Sequence, residues 1–75
     1  MNKQRRKEIK DQIKLIEQVK SNIESILSDE EYYFDNMPEN LQGSMRGETS
    51  QEAIDLLTES TDALQDIIDT LSELA

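Results

Sequence analysis

The sequence predicts an all-α protein: an antiparallel helical hairpin of two long amphipathic helices that dimerises into a four-helix bundle. Three observations carry this expectation. Apolar residues recur at alternating spacings of three and four near both ends of the chain, and the single proline and both glycines fall together between those two stretches. The chain has 75 residues, and below about 80 residues one core seldom supplies more than about 3–5 kcal/mol, so a second copy is expected to complete it.

The first helix is read from residue 3 to residue 36. Ile9, Ile13, Ile16, Ile23 and Leu27 hold one heptad seam, which continues to Phe34 and Met37 with Val19, Ile26 and Tyr33 alongside. Two seam positions are charged, Lys20 and Glu30, and Ser21, Asn22, Ser25 and Ser28 are only modest helix formers. Pro38 disfavours helical backbone at Met37 and so ends the helix.

Residues 37–49 are read as a connector. Pro38-Glu39-Asn40-Leu41 fits one helical turn with proline at its first position, and Met37 and Leu41 are placed to cap the core. Gly43 and Gly47 are expected to supply the freedom needed to reverse direction.

The second helix is read from residue 50 to residue 74, opened by a capping box in Thr49-Ser50-Gln51-Glu52. Ile54, Leu57, Thr61, Leu64, Ile68, Leu71 and Ala75 form its seam, widened by Ala53, Ile67 and Leu74. Eleven residues from the two helices constitute the expected self-association core: Ile9, Ile13, Ile16, Ile23, Leu27, Phe34, Ile54, Leu57, Leu64, Ile68 and Leu71.

Charge supports the antiparallel arrangement. Residues 1–20 hold seven of the eight basic side chains and three acids, whereas residues 21–75 hold fourteen acids and one base, Arg46. Lys3, Arg5, Arg6 and Lys7 stand at the positive end of the first helix dipole, and Asp69 and Glu73 at the negative end of the second. Folding back brings these mismatched ends together, and a tight turn sets Leu74 opposite Gln12, with the basic tip overhanging. The turn end is overloaded with acids, among them Asp29, Glu31, Asp35 and Glu48. A second hairpin laid antiparallel on the first brings its basic tip there.

Composition excludes several classes of function. Without cysteine or histidine there are no disulfides, no thiolate or imidazole metal ligands, and no catalytic Cys or His. Asp29-Glu30-Glu31 lacks the spaced oxygens and central glycine of a calcium loop, and no phosphate-cradling glycine loop or nucleophile elbow is present. No catalytic residue, metal or cofactor is expected. The basic start is interrupted by Glu8, Lys10, Asp11 and Lys14 where a signal peptide needs an apolar run, and no apolar stretch reaches membrane-spanning length. A soluble cytoplasmic protein, with no membrane association, is expected. The net charge of −9 repels polyanions, and the basic tip has no interleaved aromatics to stack on bases, so direct nucleic-acid binding is not expected.

Binding is the remaining class, and three features are candidates for it. Glu52, Asp55, Glu59, Asp62, Asp66, Asp69 and Glu73 form one ridge with no Lys or Arg among them. Its simplest reading is a solvated face; its sharper one is a docking surface for a basic or nucleic-acid-handling protein, since each like-charge neighbour destabilises the helix by about 0.2–0.5 kcal/mol. Tyr32 falls on the outer face near Asn36, Asn40 and Arg46 and makes a small contact patch, while Tyr33 and Phe34 pack. Arg5, Arg6 or Arg46 could instead hold the phosphate or carboxylate of a small anion in an oligomer that acts as a sponge for a nucleotide. A structural coiled-coil accessory is a third reading.

Residues 30–44, running Glu-Glu-Tyr-Tyr-Phe-Asp-Asn-Met-Pro-Glu-Asn-Leu-Gln-Gly-Ser, and the following Glu52-Ala53-Ile54-Asp55-Leu56-Leu57 resemble small acidic proteins encoded by phages and prophages of Gram-positive bacteria. The resemblance spans residues 30 to 57. It implies a phage context in a host cell, in which small proteins act by stoichiometric binding to host proteins, including defence factors; it brings no catalytic or ligand residues with it.

Overall fold

The computed structural model describes residues 1–75 and contains three helices, α1 (Lys3–Asp35), α2 (Glu39–Gln42) and α3 (Met45–Ser72), with no strand. The long helices α1 and α3 pack against each other as an extended hairpin, 58 Å by 15 Å by 12 Å.

The start of each long helix is fixed by a side chain. Asn2 lies in extended backbone, and its Oδ1 accepts from the Arg5 N–H at 2.8 Å, which satisfies one of the four amides that a helix start leaves unpaired. At the other end of α1 the Asn36 amide and its side-chain Nδ2 both donate to Tyr32 O, at 3.1 and 2.8 Å. Pro38 stands just outside α2, not at its first helical position. Its carbonyl accepts from Leu41 and Gln42 at 2.8 and 3.1 Å, and the proline still sacrifices no donor. The Gln42 side chain ties the turn together by donating to Phe34 O and Met37 O, each at 3.2 Å.

The connector is shorter than the sequence suggests. The second long helix begins at Met45, five residues before the expected Ser50, and its cap is Ser44, whose Oγ accepts from the Gly47 N–H at 3.5 Å and donates to Leu41 O. The capping box at Thr49 is not used, because Thr49 and Ser50 are already inside the helix. Nor does either glycine adopt a left-handed conformation. Gly47 is required for a different reason: a Cβ there would lie 2.0 Å from Gln42 O. Close approach of α2 to the first turn of α3 thus outweighs the roughly 1 kcal/mol by which glycine disfavours a helix. The helix also ends at Ser72, two residues before the expected Leu74.

The register differs accordingly. Ser50 Oγ donates to Glu30 Oε2 at 2.5 Å across the seam. Counting equal distances along both helices from that bond sets Leu74 within about one turn of Arg6, not beside Gln12, so the overhanging basic tip is reduced to the first few residues.

Burial along the hairpin keeps the heptads. On α1 the residues withdrawn from solvent run Ile9, Ile13, Ile16, Lys20, Ile23, Leu27, Glu30 and Phe34, so both charged seam positions do face α3. On α3 the seam starts earlier than expected, with Gly47 and Ser50, and continues through Ile54, Leu57, Thr61, Leu64, Ile68 and Leu71. All eleven residues of the expected self-association core lie along this seam, buried or half-buried. Met37 is buried and Leu41 half-buried, closing the turn end of that seam. The core is thin: Ile13, Met37 and Ile68 are its only buried apolar residues, and no side chain is fully enclosed.

Candidate interaction surface

Three surfaces are built on this hairpin. The first is the acidic ridge of α3. Every member, Glu52, Asp55, Glu59, Asp62, Asp66, Asp69 and Glu73, is exposed. None forms an ion pair; the two ion pairs of the molecule, Lys7 with Asp11 at 3.0 Å and Lys20 with Glu24 at 3.8 Å, both lie within α1. Two ridge carboxylates are oriented by glutamines one turn earlier, Asp55 by Gln51 at 3.0 Å and Asp69 by Gln65 at 2.8 Å. The remaining acceptor capacity of all seven points to solvent. Nowhere in the molecule do three carboxylates converge as metal ligands would.

The second surface is at the turn end. Tyr32, Asn36 and Arg46 line one cleft together with Met37, Pro38 and Leu41, so the fold brings together most of the patch read from the sequence; Asn40 lies outside it. A neighbouring cleft is lined by Glu30, Met45, Ser50 and Ala53, and Tyr33 and Arg46 border both. Tyr32 is 72% exposed and Tyr33 48%, whereas Phe34 turns into the seam, so the packing role expected for both inner aromatics holds fully only for Phe34. Arg46 has no carboxylate within ion-pair distance despite its acidic neighbourhood. Met45, 81% exposed as the first residue of α3, falls in the stretch whose sequence reads as connector, so spacing alone does not place it on this surface.

The third surface is the basic tip. Lys3, Arg5, Arg6, Lys7 and Lys10 are exposed, and none forms an ion pair with an acid of α3. Folding back brings the oppositely charged ends near one another without joining them. No helix is long and apolar enough to cross a membrane. The chain matches no known protein family, no curated protein and no solved structure.

Proposed function

We propose that this is a non-enzymatic interaction protein of phage origin, a homo-oligomer that binds a basic surface of a host protein through the acidic ridge of α3 and so modulates or inhibits it. One observation carries the reading: seven exposed carboxylates follow one face of a helix for its last three-quarters without a single cationic partner. Such a row opposes helix formation through repulsion at spacings of three and four, and a basic partner relieves it. A host protein that handles nucleic acid offers such a surface, because phosphate spacing and a carboxylate ridge demand similar cation arrays. Affinity capture from host lysate, eluted by a salt gradient, tests this. The expected result is a basic protein released at moderate salt and not retained by the Asp62→Asn, Asp66→Asn, Asp69→Asn triple variant; retention by that variant would remove the ridge from consideration.

A second reading has its own observation. Arg46 is unpaired and borders two clefts that Tyr33 also lines, an arrangement suited to a planar anion such as a nucleotide. Calorimetry against nucleotides separates the two readings, since a sponge gives saturable heat in the absence of any protein partner.

A further inference from the structure

The hairpin has two broad sides, and they are chemically different. At about 100° per residue around α3, Leu56, Ile67 and Leu74 lie on one side of the seam and the acidic ridge on the other. Leu15, Val19 and Ile26 occupy the corresponding side of α1. These six apolar residues are between 46% and 60% exposed. The two stripes open on the same side of the molecule, because Tyr33, one heptad beyond Ile26, and Ala53, two heptads before Ile67, line the same turn-end cleft. The opposite side presents Glu17 and Glu24 from α1 and Gln51, Thr58 and Gln65 from α3.

We infer that a second copy of this chain covers the Leu15–Ile26 and Leu56–Leu74 side, lying antiparallel so that the turn of each hairpin sits over the basic tip of the other. This rests on the self-association proposed above, adds the face, and grounds the antiparallel orientation expected from the sequence in the charge of each half of the hairpin. The seam residues are already engaged between α1 and α3, so the flanking stripe is what remains for a partner. The face extends 58 Å by 15 Å, long enough for a second hairpin to lie along its whole length. Charge selects the orientation. Residues 21–59 carry ten acids and one base, the whole net charge of −9, whereas residues 1–20 and 60–75 together carry seven bases and seven acids. Parallel pairing sets two halves of −9 side by side at helix-packing separations of about 8–10 Å, within about one Debye length. Antiparallel pairing sets each against a neutral half and moves the two turns to opposite ends of the 58 Å particle.

Sedimentation equilibrium with spin-label distances tests this, and the absence of native cysteine makes single-site labelling direct. A dimer at micromolar concentration is expected. Labels on Asn40→Cys should lie on the order of 50 Å apart, against about 20–25 Å, two helix diameters, for parallel pairing. Labels on Thr58→Cys, on the polar side, should show no dipolar broadening. Ile26→Lys combined with Ile67→Lys should weaken the dimer about 100-fold, and Ser28→Lys with Thr58→Lys, both exposed on the polar side, should leave it within about threefold. A monomer overturns the self-association itself. A dimer with broadened Thr58 labels overturns the face, and one with a short Asn40 distance overturns the orientation, both without disruptive substitution. Loss of partner capture with the dimer intact bears on the ridge alone.

Discussion

Gly47→Ala should destabilise the protein, although helix propensity alone predicts the reverse. Gly47 lies inside α3, where exchanging glycine for alanine ordinarily gains about 1 kcal/mol. The new Cβ would meet Gln42 O at 2.0 Å, Gln42 C at 2.4 Å and Gln42 Cα at 2.6 Å, all backbone atoms with no rotamer to relieve them. Restoring ordinary contact at about 3.5 Å moves α2 by well over 1 Å. Gln42 holds the turn through bonds to Phe34 O and Met37 O, so that movement strains two hydrogen bonds worth about 1 kcal/mol each. An overpacking cost of about 1–3 kcal/mol and up to about 2 kcal/mol of hydrogen-bond strain, set against the propensity gain of about 1 kcal/mol, give a net loss centred on about 2 kcal/mol. Gly43→Ala is the control. Nothing lies within 4 Å of its Cβ and its φ is −87°, so it should gain about 0.4–1 kcal/mol. Urea denaturation followed by circular dichroism, at one fixed protein concentration, measures both. A stabilised Gly47→Ala protein would refute the close approach of α2 and α3 as the reason for this glycine.

Other perturbations follow from the same contacts. Ser50→Ala removes the donor to the half-buried Glu30 carboxylate and should cost about 1–3 kcal/mol in the same assay, with Ser50→Thr recovering part of it. Asn2→Ala should cost about 0.5–2 kcal/mol and show faster amide exchange confined to the first turn of α1. The Asp62→Asn, Asp66→Asn, Asp69→Asn variant should be about 1 kcal/mol more stable than the parent at low salt, and the difference should shrink as sodium chloride is added. Tyr32→Ala with Arg46→Ala should leave helical content unchanged while weakening partner binding by at least about tenfold; unaltered affinity would remove the turn-end clefts as a contact.

Legibility in the sequence tracked how local each determinant is. The heptads named the seam because a helix converts spacing directly into a face, and even the awkward members Lys20 and Glu30 obey it. The capping box at Thr49 points to a later helix start than the one the chain adopts at Ser44, and both residues carry a side-chain oxygen able to cap. Use of Ser44 places Gly47 against the Gln42 backbone, a close approach that spacing cannot reveal. The register depends on the bond between Ser50 and Glu30, twenty residues apart, so extrapolation from a tight turn misplaced the chain end. Tyr32 and Arg46 were legible as neighbours because only a short turn separates them, whereas the sharing of Arg46 by two clefts required the third dimension. The acidic ridge needed only periodicity, and its complete lack of ion pairs is the structural addition.

The most direct test of binding through that ridge is the salt dependence of affinity for the captured host protein, compared between the parent and the Asp62→Asn, Asp66→Asn, Asp69→Asn variant. Contact between a carboxylate row and a basic surface predicts affinity that falls steeply with salt for the parent, with both the affinity and the slope much reduced in the variant. Equal affinities with flat salt dependence would contradict the account.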